Sequence, residues 1–112
     1  MVEMTDDHQY LAIAGGHDNF ARVYQHTGSG YLELTTNTYP SYVWCSSFSR
    51  DQTYLAISTD SSTTHIYKYP ANGSLTEEST VAGAYFNKIS DKKKYLVTGL
   101  DGEARVYIND EF

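Results

Sequence analysis

Three stretches of this 112-residue chain repeat one another, and that repetition limits the fold more than any other feature. They are "YLAIAGGHDNFARVY" from Tyr10 to Tyr24, "YLAISTDSSTTHIY" from Tyr54 to Tyr67 and "YLVTGLDGEARVY" from Tyr95 to Tyr107. The opening Tyr-Leu pair recurs after 44 and then 41 residues, and the closing pair at Val23, Ile66 and Val106 after 43 and then 40. A period near 42, with length changes confined to polar turns, means that one supersecondary unit is copied along the chain and packs against its own neighbours.

Within each unit the chemistry is that of strands, because Tyr, Val, Ile and Thr dominate short runs bounded by Gly, Asp, Asn, Ser and Pro. A hairpin recurs, as in "YLVTG", a polar turn, then "ARVYI". Asp18-Asn19 and Asp101-Gly102 occupy the first and third turns and tolerate the positive φ that tight hairpins demand. "TDSSTT" makes the second turn longer and less specified. Between the hairpins lie two further strands per interval: "GYLELTT" and "SYVWCSSFS", then "GSLTEESTV" and "GAYFNKIS". The expectation is an all-β segment over 1–112, with four-stranded antiparallel units at about 1–40, 41–81 and 82–112. It amounts to roughly ten strands, plus a short one at "MVEM".

"FSRDQTYLAIS", from Phe48 to Ser58, resembles the inner-strand corner of a WD-repeat β-propeller, whose usual run is Phe-Ser-Pro-Asp-Gly followed by a Leu-Ala strand. "YLVTGLDGEARVYIND" resembles the next part of that motif, with its Asp-Gly turn and Val-aromatic-x-x-Asp ending. The resemblance spans about Tyr10 to Asp110 and implies four-stranded blades, about 2.5 to 3 of them in the chain. It departs from the family where Tyr24, Tyr67 and Tyr107 replace the Trp of Trp-Asp, and where the usual Gly-His pair is missing. Only Thr98 fits the Ser/Thr position of the family's buried polar network, since Ile13 and Ile57 do not, and Asp60 matches the turn Asp only loosely. That network is therefore missing or rebuilt, with tyrosines doing the packing.

Propellers pack typically four to eight blades around an axis, so this chain is too short to close a ring alone. It would leave apolar blade faces and strand edges open. Three resolutions stand: several copies complete one ring, copies add head to tail into a filament, or the chain is a fragment of a longer propeller scaffold.

Sequence chemistry favours a binding role. His17 beside Asp18 in "GGHDN" reads as turn geometry, and the four histidines, His8, His17, His26 and His65, lack zinc-type spacing. Asp101 and Glu103 make a poor calcium loop, and neither a nucleophile elbow nor a phosphate-binding glycine motif occurs. Neither a metal nor a cofactor is expected. Asn72-Gly73-Ser74 is a sequon that reads as a turn, and the lone Cys45 reads as a small buried hydrophobe.

Tyrosine is the compositional anomaly, at 11 residues. Tyr10, Tyr24, Tyr54, Tyr67, Tyr95 and Tyr107, together with Phe48, Asp18, Asp101 and Gly102, are expected to serve repeat packing and turns. Tyr31, Tyr39, Tyr42, Tyr69 and Tyr85 fall near strand ends and, with Trp44, make a candidate surface for recognising proteins or sugars.

The net charge of −6 and pI near 5.0 argue against nucleic acid, and "KKK" at Lys92 to Lys94 reads as a solvated turn. No apolar run approaches membrane-spanning length, and the acidic "MVEMTDDHQY" lacks a leader's pattern, giving a cytoplasmic expectation. The reading is a non-enzymatic assembly module completed by self-association with copies of itself or with protein partners. The alternatives are a filament subunit, a fragment of a WD-repeat scaffold and, more remotely, a propeller hydrolase for which Asn87 and Lys88 are the only hints.

Overall fold

In a computed structural model of the chain, the described residues are 2–5, 7, 9–14, 19–51, 53–68, 76–83, 85–100, 102–108 and 112. Asp18, Tyr69 and Asp101, singled out above, lie outside them, as do His8, His17 and Asn72.

The described residues form three antiparallel sheets, each a meander of consecutive strands. The first blade holds β1 (Val2–Met4), β2 (Tyr10–Ala14), β3 (Phe20–His26) and β4 (Tyr31–Thr38). The second holds β5 (Val43–Phe48), β6 (Tyr54–Thr59), β7 (Thr63–Lys68) and β8 (Thr76–Ala82). The third has three strands, β9 (Asn87–Ile89), β10 (Tyr95–Leu100) and β11 (Glu103–Ile108), with a one-turn 3₁₀ segment at Asp91–Lys93. The chain is all-β and folds as a partial β-propeller, with Val2–Met4 supplying the innermost strand of the first blade.

Strand alternation explains which residues are buried. On β6, Leu55 and Ile57 join Val23, Val43, Phe48 and Tyr67 in the core between the first and second blades. Ala56, between them, faces the other way and joins Ile66, Ile89, Leu96 and Phe112 between the second and third. The middle blade is covered on both faces, so "YLAIST" is buried along almost its whole length. Among the described residues β11 is packed mainly on one face, and Val106 and Ile108 stand 62% and 51% exposed.

The repeated tyrosines follow the same logic. Opening tyrosines Tyr10 and Tyr54 pack against the core shared with the following blade, whereas Tyr95, with no described blade beyond it, is exposed. Closing tyrosines point backward. Tyr67 enters the core shared with the first blade, and the Tyr107 hydroxyl donates to the Ala82 carbonyl of the second at 3.0 Å.

The blade corner is built from side-chain caps. Ser49 donates through Oγ to Asp51 Oδ1 at 2.6 Å, and the same Oγ accepts from the Tyr54 N–H at 3.0 Å. Thr5, Asp7 and Tyr10 repeat the pattern in the first blade, at 2.8 Å and 3.1 Å. In the third blade Ser90 Oγ accepts from the Tyr95 N–H at 2.8 Å. "FSRDQTY" is thus a structural corner, its hydroxyl and carboxylate satisfying backbone donors where the ladder stops. "KKK" is more than a solvated turn, because Lys93 reaches Glu78 at 3.3 Å and lies over the Tyr54 and Phe112 rings at 5.7 Å and 5.3 Å.

Candidate functional site

Antiparallel alternation sends the β4–β5, β6–β7 and β8–β9 connections to one end of the blades and the corners to the other. At the connection end the structure brings together Tyr42, Trp44 and Tyr85 from the candidate surface. Trp44 is the extra residue of a bulge in β5, where pairing steps from Val43↔Thr59 to Cys45↔Ser58. A bulge bends the strand and re-aims the bulged side chain. The indole consequently leaves the ladder and donates through Nε1 to Asp60 Oδ1 at 3.0 Å.

Asp60 is fixed in turn. Its N–H donates to the Tyr42 carbonyl at 2.7 Å, and the Ser61 N–H donates to Ser41 Oγ at 3.1 Å, tying the β6–β7 turn to the β4–β5 connection. The Tyr42 and Trp44 rings meet edge to face, centroids 6.5 Å apart at 87°, and Trp44 and Tyr85 lie 6.1 Å apart at 56°. Tyr85 is held by the contact of its connection with β10: the Gly99 N–H donates to the Phe86 carbonyl at 3.1 Å, and the Phe86 ring lies where a Cβ on Gly99 would come within 2.2 Å of it. Gly99 is what permits that approach.

The other candidates lie elsewhere. Tyr39 is 6% exposed, with its hydroxyl 2.6 Å from that of Tyr67, so it belongs to the core between blades and not to a recognition surface. Tyr31 is exposed at the start of β4, edge to face with His26 at 5.2 Å. His65 lies against Tyr39 at 5.0 Å and pairs through Nδ1 with Glu77.

Of the two residues that hint at a channel chemistry, Asn87 is buried. It accepts from Ser47 Oγ at 2.6 Å and donates to Ser58 Oγ at 2.8 Å and to the Cys45 carbonyl at 3.3 Å. Ser58 and Thr64 are bonded at 2.7 Å, Thr64 donates to the Gly83 carbonyl at 3.1 Å, and Thr98 donates to the Ala82 carbonyl at 2.9 Å. A polar network therefore occupies the seam between two blades, centred on Asn87. Lys88, one residue on, faces the other way and is exposed. With Arg50, Ile89, Ser90, Asp91, Tyr95 and Val97 it lines a cavity of about 320 Å³ at the corner end.

The Asn87 seam and the role of Asp60 escaped the sequence reading. An Asn in "YFNKIS" looks like a turn residue, and Trp44–Asp60 is a pairing across 16 positions. Among the described residues no group of three or more His, Cys, Asp or Glu converges as a metal site, and no helix is long and apolar enough to cross a membrane.

No protein-family model matches the chain, and no curated protein matches it. Solved structures do. A candidate 6-phosphogluconolactonase from Bacteroides fragilis superposes with a TM-score of 0.80 at 16% identity, over 96% of this chain and 34% of that one. One from Bacteroides uniformis gives 0.79 at 16%, over 96% and 35%. Hydrazine synthase from Kuenenia stuttgartiensis gives 0.76 at 13%, over 97% and 32%. The chain thus spans about a third of the length of the structures it matches.

These likenesses correct the expectation of a non-enzymatic assembly module. The blades of this chain superpose on propellers whose names are those of enzymes, and lactonases recur among them, so neither the scaffold emphasis nor the exclusion of catalysis stands. At these identities the likeness establishes the fold alone, a partial β-propeller.

Proposed function

We propose that this chain forms successive blades of a larger closed propeller hydrolase that opens a sugar lactone. The observation that carries the reading is the superposition of 96% of the chain on two candidate 6-phosphogluconolactonases of about three times its length. The open face of the third blade supports it, since Tyr95, Val97, Val106 and Ile108 form an apolar surface of the kind a neighbouring blade covers. The corner from Phe48 to Leu55 supports a WD-like ancestry for the repeat. The buried Cys45 thiol, outside any disulfide, suits a reducing compartment such as the cytoplasm.

In this reading the cavity of about 320 Å³ beside Lys88 and Arg50 lies on that same open face, since Lys88 pairs with Val97 of β10, so the next blade closes over it and the lactone is taken in the central channel of the complete propeller. Asn87 positions the strand that carries Lys88. Hydrolysis adds water across the acyl–oxygen bond: the ring C–O bond breaks, the ring oxygen keeps the electron pair and takes a proton, and the new carboxylic acid ionises. Net proton release therefore reports turnover.

The test is proton release from 6-phosphogluconolactone and from its unphosphorylated counterpart by the complete propeller. The expected result is opening faster than the spontaneous rate with at least one of the two lactones. Rates equal to the spontaneous one with both lactones would remove the reading.

A further inference from the structure

The aromatic rim lies at the opposite end of the blades from the Lys88 cavity and is not used by the proposed hydrolysis. Its chemistry is uniform in sign. Three rings, Tyr42 and Trp44 from the start of β5 and Tyr85 from the β8–β9 connection, meet at steep angles rather than stacking, so that Tyr42 and Tyr85 keep 41% and 54% of their surface in solvent. Ring faces carry the negative part of the aromatic quadrupole. The Asp60 carboxylate is pinned beside them by the indole N–H at 3.0 Å, and a carboxylate holding one hydrogen bond on one oxygen still presents its negative charge.

A neutral sugar would be read by mixed donors and acceptors, and an anionic ligand would be repelled. Aromatic faces plus one carboxylate select a cation, and a soft, weakly hydrated cation above all, because it loses little on leaving water for a wall of rings. The net charge of −6 adds a long-range attraction of the same sign. The arrangement is also preorganised. A strand bulge aims Trp44, two backbone N–H bonds fix the Asp60 turn, and the Gly99–Phe86 contact seats the Tyr85 connection.

We infer that the rim formed by Tyr42, Trp44, Asp60 and Tyr85 is a binding site for a quaternary ammonium group. Such a group reaches a protein either on a small molecule of the choline type or on a trimethylated lysine side chain, and the rim's chemistry fits both.

Trp44 is the chain's only tryptophan, so its emission reports the site directly. The titrants are choline, a trimethyllysine peptide, the same peptide with unmodified lysine, and 3,3-dimethylbutan-1-ol, the neutral isostere of choline. The expected result is a saturable change in Trp44 emission with choline or the trimethylated peptide, the tighter of the two naming the source. The neutral isostere should bind about tenfold more weakly or not at all. Tyr85→Ala and Asp60→Asn, the latter keeping an acceptor for the indole, should each weaken binding roughly fivefold, in line with one lost cation–π or charge contact, with far-ultraviolet circular dichroism unchanged. Equal binding of the neutral isostere, or no saturable response to either ammonium titrant, overturns the proposal. These outcomes are independent of lactone opening, so the two readings fail separately.

Discussion

Asp51 and Asp91 lock the corners of the second and third blades together: the Asp51 N–H donates to Asp91 Oδ1 at 2.8 Å, and Asp51 Oδ2 accepts from the Lys92 N–H, also at 2.8 Å. Each corner satisfies donors of the other, so the two blades are registered at their inner-strand corners as well as through their cores. Burial works to raise the Asp51 carboxyl, but hydrogen bonds from Ser49, from the Lys92 backbone and from Thr53 outweigh it and hold it below the ordinary carboxylate value.

A group depressed in the folded state stabilises above its unfolded pKa, and the contribution is lost as pH falls through the folded value. Asp51→Asn should therefore cost about 1 kcal/mol at neutral pH, the scale of a charge-assisted hydrogen bond at a solvent-facing turn. The gap between variant and parent should close on acidification below about pH 4, where an unfolded carboxylate protonates. Urea titrations across that range check this, and a gap independent of pH would refute it.

The seam offers a second pair of variants. Asn87→Ala removes the acceptor of the Ser47 O–H and one donor to the Cys45 carbonyl and should destabilise by about 1–3 kcal/mol. Ser46 stands on β5 where Asn87 stands on β9, three residues before the corner serine, yet its Oγ is buried with no hydrogen-bond partner among the described residues. Ser46→Ala should be neutral or stabilise by up to about 1 kcal/mol, because it removes a desolvated hydroxyl. Chemical denaturation of both variants, with unchanged m-values, is the measurement.

Gly83 sits where the seam is tightest. A Cβ there would lie 2.4 Å from Thr98 Cβ and 2.8 Å from Thr64 Oγ1. Gly83→Ala should cost about 1–3 kcal/mol by overpacking and by disturbing the Thr64 bond to the Gly83 carbonyl. A melting temperature equal to the parent's would mean that the seam is looser than this geometry.

The tyrosine pattern predicts an asymmetry between equivalent positions. Tyr54→Ala removes a ring packed on the core of the following seam and covered by Lys93, at a cost of about 2 kcal/mol. Tyr95→Ala, on the open face, should fall within about 0.5 kcal/mol in this chain and approach the cost of Tyr54→Ala where a further blade covers it. Paired thermal melts of the two variants, in this chain and in a longer propeller, decide the point.

Much of the fold was legible in the sequence because period and strand alternation are local properties. The spacing of Tyr10, Tyr54 and Tyr95 marked the opening of the second strand of every blade, and the polar turns marked the hairpins. What escaped were relations between distant residues. Nothing around Asn87 announces that it will meet Ser47 and Ser58 from the neighbouring blade, and nothing in "YVWCSSF" marks Trp44 as a bulge. Tyr39 shows the converse: a tyrosine near a strand end reads as surface until Tyr67 is found against it. Lys93 looks solvated by composition, while a fold that sets Glu78 and two rings beside it uses its stem and charge as packing.

The seam around Asn87 and the paired tyrosines also bears on how such a chain can be cut and rejoined. A single blade carries an opening tyrosine that needs the next blade and a closing tyrosine that needs the previous one. Moved alone into another propeller, it arrives with both sides mismatched. The portable unit is a pair of neighbouring blades with the seam between them intact, so grafts that carry both blades should keep the seam's contacts where grafts of a single blade lose them.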